Sequence, residues 1–137
     1  MANRKGSVRP FHPITGRQAW AGPEMAKRTD WIHDFTPAEI AEIEAAVAGA
    51  TQRGLSILDI RQKDFPLPTL APMLARVRDD LVEGCGVSLM RGLPVQRWSR
   101  EETAVAYWGL GTHLGDAVSQ NPQGHVLGHV KDIGADF

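Results

Sequence analysis

Five histidines are the first place to look for chemistry in this chain. His125 and His129 stand four apart in a segment whose pattern predicts a strand, so they share a face but lie roughly 13 Å apart along it. That is too far for two ligands of one metal ion without a bend, and a half-exposed pair flanking a hairpin fits the spacing better. No His-x-Asp or His-x-Glu occurs anywhere. His33 and Asp34 are adjacent, and neighbouring side chains on a strand point to opposite faces. A lone cysteine, Cys85, excludes a paired-thiol zinc site. Metal binding by this chain alone is not expected.

Nucleophilic chemistry has no better footing. Cys85 precedes an apolar run and reads as an inert core thiol. Ser88 falls inside the same run without the Gly-x-Ser-x-Gly elbow. Gly109-Leu110-Gly111-Thr112-His113-Leu114-Gly115 is superficially similar to a nucleotide loop, but it follows a helical pattern instead of opening one. A helix end and turn account for it. Trp98 and Trp108 read as core residues, and no catalytic residue can be assigned.

The elements that would position such groups are easier to read. Thr36-Pro37-Ala38-Glu39 is a capping box with proline at the first helical position, and Ile40, Ile43 and Val47 continue at helical spacing until Gly49 and Gly54. Residues 55–60 are apolar enough for a strand. Phe65-Pro66-Leu67-Pro68 must be extended, and Thr69 then opens a second helix with Leu70, Met73, Leu74, Val77 and Leu81 on one face. Gly84 stops it, and residues 85–91 read as a buried strand. Ser99-Arg100-Glu101-Glu102 caps a third helix through Leu110, with Ala104, Val105 and Trp108 inward. A turn at Asn121-Pro122-Gln123-Gly124 joins residues 117–120 to 125–133 as a predicted hairpin. Residues 1–35 are read as an arm carrying the isolated apolar anchors Trp20, Trp31, Ile32 and Phe35. The order gives an α+β class with only three or four strands.

Composition bounds the rest. The 137 residues suffice for one core, and the 42% hydrophobic and 23% charged shares are those of a globular chain. A formal charge of −1 leaves no electrostatic footprint for nucleic acid or an anionic membrane. No apolar run approaches the roughly 20 residues of a membrane span, and no apolar segment follows the basic start as in a secretory signal. With a single cysteine, a cytoplasmic location is the expectation.

In chain order stand Asp64-Phe65-Pro66-Leu67-Pro68-Thr69-Leu70, then Gly86-Val87-Ser88-Leu89-Met90-Arg91-Gly92-Leu93-Pro94-Val95. Ala106-Tyr107-Trp108-Gly109-Leu110-Gly111-Thr112-His113-Leu114-Gly115, Ser119-Gln120-Asn121 and Leu127-Gly128-His129-Val130-Lys131-Asp132 follow. Over residues 18–137 this run resembles the N-terminal part of the taurine dioxygenase-like (TauD/TfdA) oxygenases. The resemblance implies a double-stranded β-helix (jelly roll) with helices outside. It also implies iron(II) and 2-oxoglutarate as cofactors, and hydroxylation of a small organic substrate at a His-x-Asp/Glu…His triad. Ser119, Gln120 and Asn121 lie where relatives shape the substrate pocket.

The triad motif is missing from this sequence, and in relatives it comes shortly after a segment like 128–137. The expectation is therefore an arm over residues 1–17 and an incomplete domain over 18–137, comprising outer helices, first sheet strands and a C-terminal hairpin. Such a piece would be catalytically silent and would bind neither iron nor 2-oxoglutarate alone. The alternative is a non-catalytic binding or assembly module derived from the same fold. A small stand-alone enzyme of another kind has no supporting constellation.

Overall fold

The computed structural model describes residues 12–119, 121–128 and 134. Its elements run α1 (Gly22–Met25), β1 (Ile32–Asp34), α2 (Pro37–Gln52), α3 (Ala71–Glu83), β2 (Leu89–Arg91) and α4 (Arg100–Gly111), with 3-10 turns at Ile57–Asp59 and Gln62–Asp64. Among the described residues, four helices and two parallel strands make a small α+β structure. No helix among the described residues is long and apolar enough to cross a membrane.

Local chemistry explains where the helices start and stop. At α2 the Thr36 hydroxyl accepts from the Glu39 N–H at 3.3 Å while Glu39 Oε2 accepts from the Thr36 N–H at 2.8 Å. Ser99 and Glu102 repeat the exchange at α4, at 3.1 and 2.7 Å. The end of α2 is a Schellman motif, in which Gly54 at φ 65° donates to the Thr51 carbonyl and Leu55 to that of Ala50. Leu55 then packs on the core.

The second long helix begins two residues later than its pattern predicts, at Ala71 instead of Thr69. Leu70 holds the cap position without a side-chain bond, and the Thr69 N–H goes to Glu42 Oε1 on α2 at 2.7 Å. Glu42 thus ties α2 to the start of α3, while its Oε2 is buried without a protein partner. Leu81, expected on the inner stripe of α3, is 39% exposed.

Residues 55–60 do not form the expected strand. Asp59 donates to the Ser56 carbonyl and Ile60 to that of Ile57, so the backbone pairs locally as a 3-10 turn. Ile57 and Ile60 face the core while Leu58 faces out, a spacing of three instead of two. The strand expected over 85–91 shrinks to Leu89–Arg91, because Gly84 and Gly86 both return to the Asp80 carbonyl to close α3. Nor is it buried, for Leu89 is 40% exposed.

The partner of β2 is β1, in a segment read from the sequence as an arm. The strands are parallel in the register Ile32↔Leu89, His33↔Met90 and Asp34↔Arg91. Arg91 clasps Asp34 through two bonds of 2.8 Å, and the Phe35 N–H extends the pairing to the Arg91 carbonyl. Of the predicted hairpin, residues 117–119 and 125–128 carry no strand, while Gln120 and 129–133 lie outside the described residues. The predicted arm at 1–17 falls mostly outside them too, and its described residues 12–17 are exposed.

One core holds these pieces together. Ile43 and Val47 of α2, Leu70 and Leu74 at α3, Val105 and Trp108 of α4, and Phe65 and Leu67 between them form one buried cluster. Trp108 also donates its indole N–H to the Ile60 carbonyl at 3.1 Å, fastening the 3-10 turn to α4. The inner face of α4 is Val105, Ala106, Trp108, Gly109 and Leu110, one step round from the expected face, with Ala104 only half-buried.

Candidate functional site

The loop leaving α4 carries the residues singled out for a pocket, and its anchoring begins at His113. Only 8% of His113 is exposed. Its Nε2–H donates to the Phe65 carbonyl at 2.8 Å, and Gln62 Nε2 donates to its Nδ1 at 3.3 Å. Both ring nitrogens are thus engaged as in a neutral imidazole, a tautomer assigned from its partners. Leu114 packs on the core, and Val126 and Leu127 return to it further on. The stretch between is pinned at both ends and open in the middle.

Within that stretch the bonds are local. The Ser119 hydroxyl donates to the Asn121 carbonyl at 3.1 Å. Gly124, at φ 80°, donates its N–H to the same carbonyl, closing a turn with proline at its second position. Asn121 Oδ1 accepts the His125 N–H at 3.0 Å, and Asn121 Nδ2 lies 3.4 Å from His125 Nδ1. Ser119 and Asn121 are exposed, and Gln120 lies outside the described residues. A hydroxyl, an amide and an imidazole therefore stand together on one solvent-facing turn. Such groups can hydrogen-bond a small polar molecule, but they make no nucleophile–base couple.

A cavity of about 230 Å³ lies between β1 and α3, with His33, Ser88, Arg76 and Asp80 in its lining. His33 Nε2 is held by Glu39 at 3.2 Å and not by a hydroxyl nucleophile. Burial pushes the Glu39 carboxyl up, but the Thr36 backbone and hydroxyl bonds and the nearby His33 outweigh it, so Glu39 stays below the usual glutamate range. Cys85 is buried and free, its thiol 3.5 Å from the Val87 carbonyl. Among the described residues no group of three His, Cys, Asp or Glu side chains could hold a metal ion.

Comparison with known proteins concerns the chain as a whole. The chain is 30% identical over 122 residues to FR-33289 synthase of Streptomyces rubellomurinus, a match covering 89% of this chain and 36% of that protein. It is 25% identical over 135 residues to the taurine hydroxylase-like protein SAT17 of Stachybotrys chartarum, covering 98% of this chain and 35% of that one. The chain is similar to a TauD-like hydroxylase. It spans about a third of the length of the curated relatives it matches. No family model matches it.

His113 carried no signal of its own in the sequence, because its partners lie 48 and 51 residues away. Nor did Glu42, whose link to Thr69 spans 27 residues. The His33–Glu39 pair spans only six residues, but the capping box by itself accounts for Glu39 in the sequence.

Proposed function

We propose that this chain is the helix-bearing front portion of a TauD/TfdA-type oxygenase that hydroxylates a small organic substrate with iron(II) and 2-oxoglutarate. One observation carries the reading: two relatives, one named a synthase and one named taurine hydroxylase-like, align along 89% and 98% of the chain. In this reading the jelly roll and the iron ligands belong to the other two-thirds of the relatives' length. The chain contributes helices that cover the sheet, and the sequence segment Ser119, Gln120 and Asn121 contributes to the substrate pocket. In the whole protein, iron(II) and 2-oxoglutarate held by ligands outside this chain would supply the oxidising chemistry, and Ser119 and Asn121 would orient substrate by hydrogen bonds.

The 137 residues are then silent alone. Incubating them with 2-oxoglutarate, iron(II) and ascorbate should release no succinate above a protein-free control, and robust succinate formation would overturn the reading. The coding sequence beyond Phe137 provides a second check, with a His-x-Asp or His-x-Glu motif expected within a few tens of residues.

A specific observation favours a second reading, that of a self-standing binding or assembly module. The described residues share one contiguous core with Ile43, Ile60, Phe65, Leu70 and Leu74 fully buried. A module of this kind melts cooperatively and stays monodisperse, whereas an incomplete sheet exposes strand edges and aggregates. Calorimetry with light scattering separates the two.

A further inference from the structure

We infer that the cleft between α2 and the start of α4 is a binding site for an apolar organic ammonium ion. The cleft is about 450 Å³, a size at which pockets take up small organic molecules. Val47 and Ala48 of α2 and the indole of Trp98 form its apolar wall. Two carboxylates, Glu44 and Glu102, and the neutral polar side chains of Thr51 and Gln52 complete the lining, and no lysine or arginine is among the residues that line it. An apolar wall with only negative charge selects a hydrophobic cation and rejects a hydrophobic anion.

The polar groups are already held in place. Glu44 Oε1 accepts the Trp98 indole N–H at 3.0 Å, which fixes the ring beside the carboxylate and leaves Oε2 for a ligand. Glu102 is kept ionised by the Ser99 backbone and hydroxyl bonds of the α4 cap, which lower its carboxyl below the usual value. A cation lodged here gains from both carboxylates and from the neighbouring indole, the aromatic side chain that attracts cations best. The competitor is Arg97, whose guanidinium reaches Glu44 Oε1 at 3.3 Å from a side chain 66% exposed. An exposed pair of that kind is worth little and yields to a ligand partly withdrawn from water.

The experiment titrates the 137-residue chain with benzyltrimethylammonium chloride and, separately, with phenylacetate at matched ionic strength, following the tryptophan indole N–H resonances. The cation should saturate with a Kd of roughly 0.1–1 mM and move the Trp98 signal while leaving buried Trp108 in place. Phenylacetate should give no saturable shift. Glu44→Gln keeps an acceptor for the Trp98 indole but removes the charge, and should weaken the cation roughly fivefold. Arg97→Ala should tighten it about twofold, and Ala48→Trp, at an exposed position, should abolish it by filling the cleft. Equal binding of phenylacetate, no saturable shift with the cation, or Glu44→Gln and Ala48→Trp variants that melt normally and bind unchanged would each overturn the assignment.

Discussion

Phe65 occupies the space that a β-carbon on Gly109 would need. A methyl group there collides with three carbons of the Phe65 ring, and that ring is fully buried. Elsewhere in an α-helix, glycine costs about 1 kcal/mol relative to alanine. Here the balance reverses, because the ring has nowhere to go and overpacking costs roughly 1–3 kcal/mol. Gly109→Ala should lower the Tm by about 3–6 °C. The control is Gly111→Ala in the same helix, where a β-carbon meets nothing within 4 Å and the substitution should stabilise. A thermal melt of both variants reads the contrast directly.

His113 holds the start of the 112–127 loop to the segment before α3. Replacing it with leucine keeps the bulk but leaves the buried Phe65 carbonyl without its donor, a loss of about 1–3 kcal/mol. Urea unfolding of His113→Leu should show that drop with an unchanged m-value. Gln62→Ala, which removes only the longer bond to Nδ1, should cost less than half as much.

Contacts of short range could be read from the sequence, and those of long range could not. Both capping boxes and the Gly54 stop are set within a few residues and appear in the structure, whereas the helix periods hold only in part, with Leu81 exposed and Ala104 half-buried. The strand β1 is three residues long and defined by Arg91, 57 residues away from Asp34, so nothing local marks it. Residues 55–60 misled because an apolar run suits a strand or a 3-10 turn equally, and the choice fell to local pairing beneath α4. The site shows the same division. Asn121 and Gly124 were recognisable as turn residues, whereas the anchor that places their loop, His113 on Phe65, joins distant segments.

The two capping carboxylates also set a pH dependence. For Glu39, burial raises the pKa but the Thr36 bonds outweigh it, and for Glu102 the Ser99 backbone bond lowers it directly. Both folded pKa values lie below the ordinary glutamate value of 4.5. Their contribution is therefore complete above that pH and lost as the pH falls through the depressed folded values. Asp34, lowered chiefly by its bond to Arg91, adds in the same direction. Urea midpoints should hold steady from pH 7 to about 5 and then fall. In the Glu39→Gln/Glu102→Gln variant, which keeps capping-box acceptors without titratable groups, the fall should be shallower. At neutral pH, Thr36→Ala or Ser99→Ala should each cost about 1 kcal/mol.

Cys85 gives a probe of how firmly the chain before α1 is fastened. Cys85 as a whole is 5% exposed, so a disulfide reagent reaches its thiol only when the structure around it opens. Three contacts tie residues 17–20 to that corner: Trp20 Nε1 to the Cys85 carbonyl at 2.8 Å, Gln18 Nε2 to the Val82 carbonyl at 3.4 Å, and Arg17 to Asp80 at 3.8 Å. The last two are exposed and worth little, so the indole bond should dominate. Trp20→Phe keeps an aromatic ring but removes the donor, at a cost near 1 kcal/mol, which corresponds to roughly five- to tenfold faster labelling. The overall Tm should move little, because local opening releases none of the main core. Unchanged labelling in Trp20→Phe would place the opening that exposes Cys85 elsewhere, in the turn of Gly84 and Gly86 against α3.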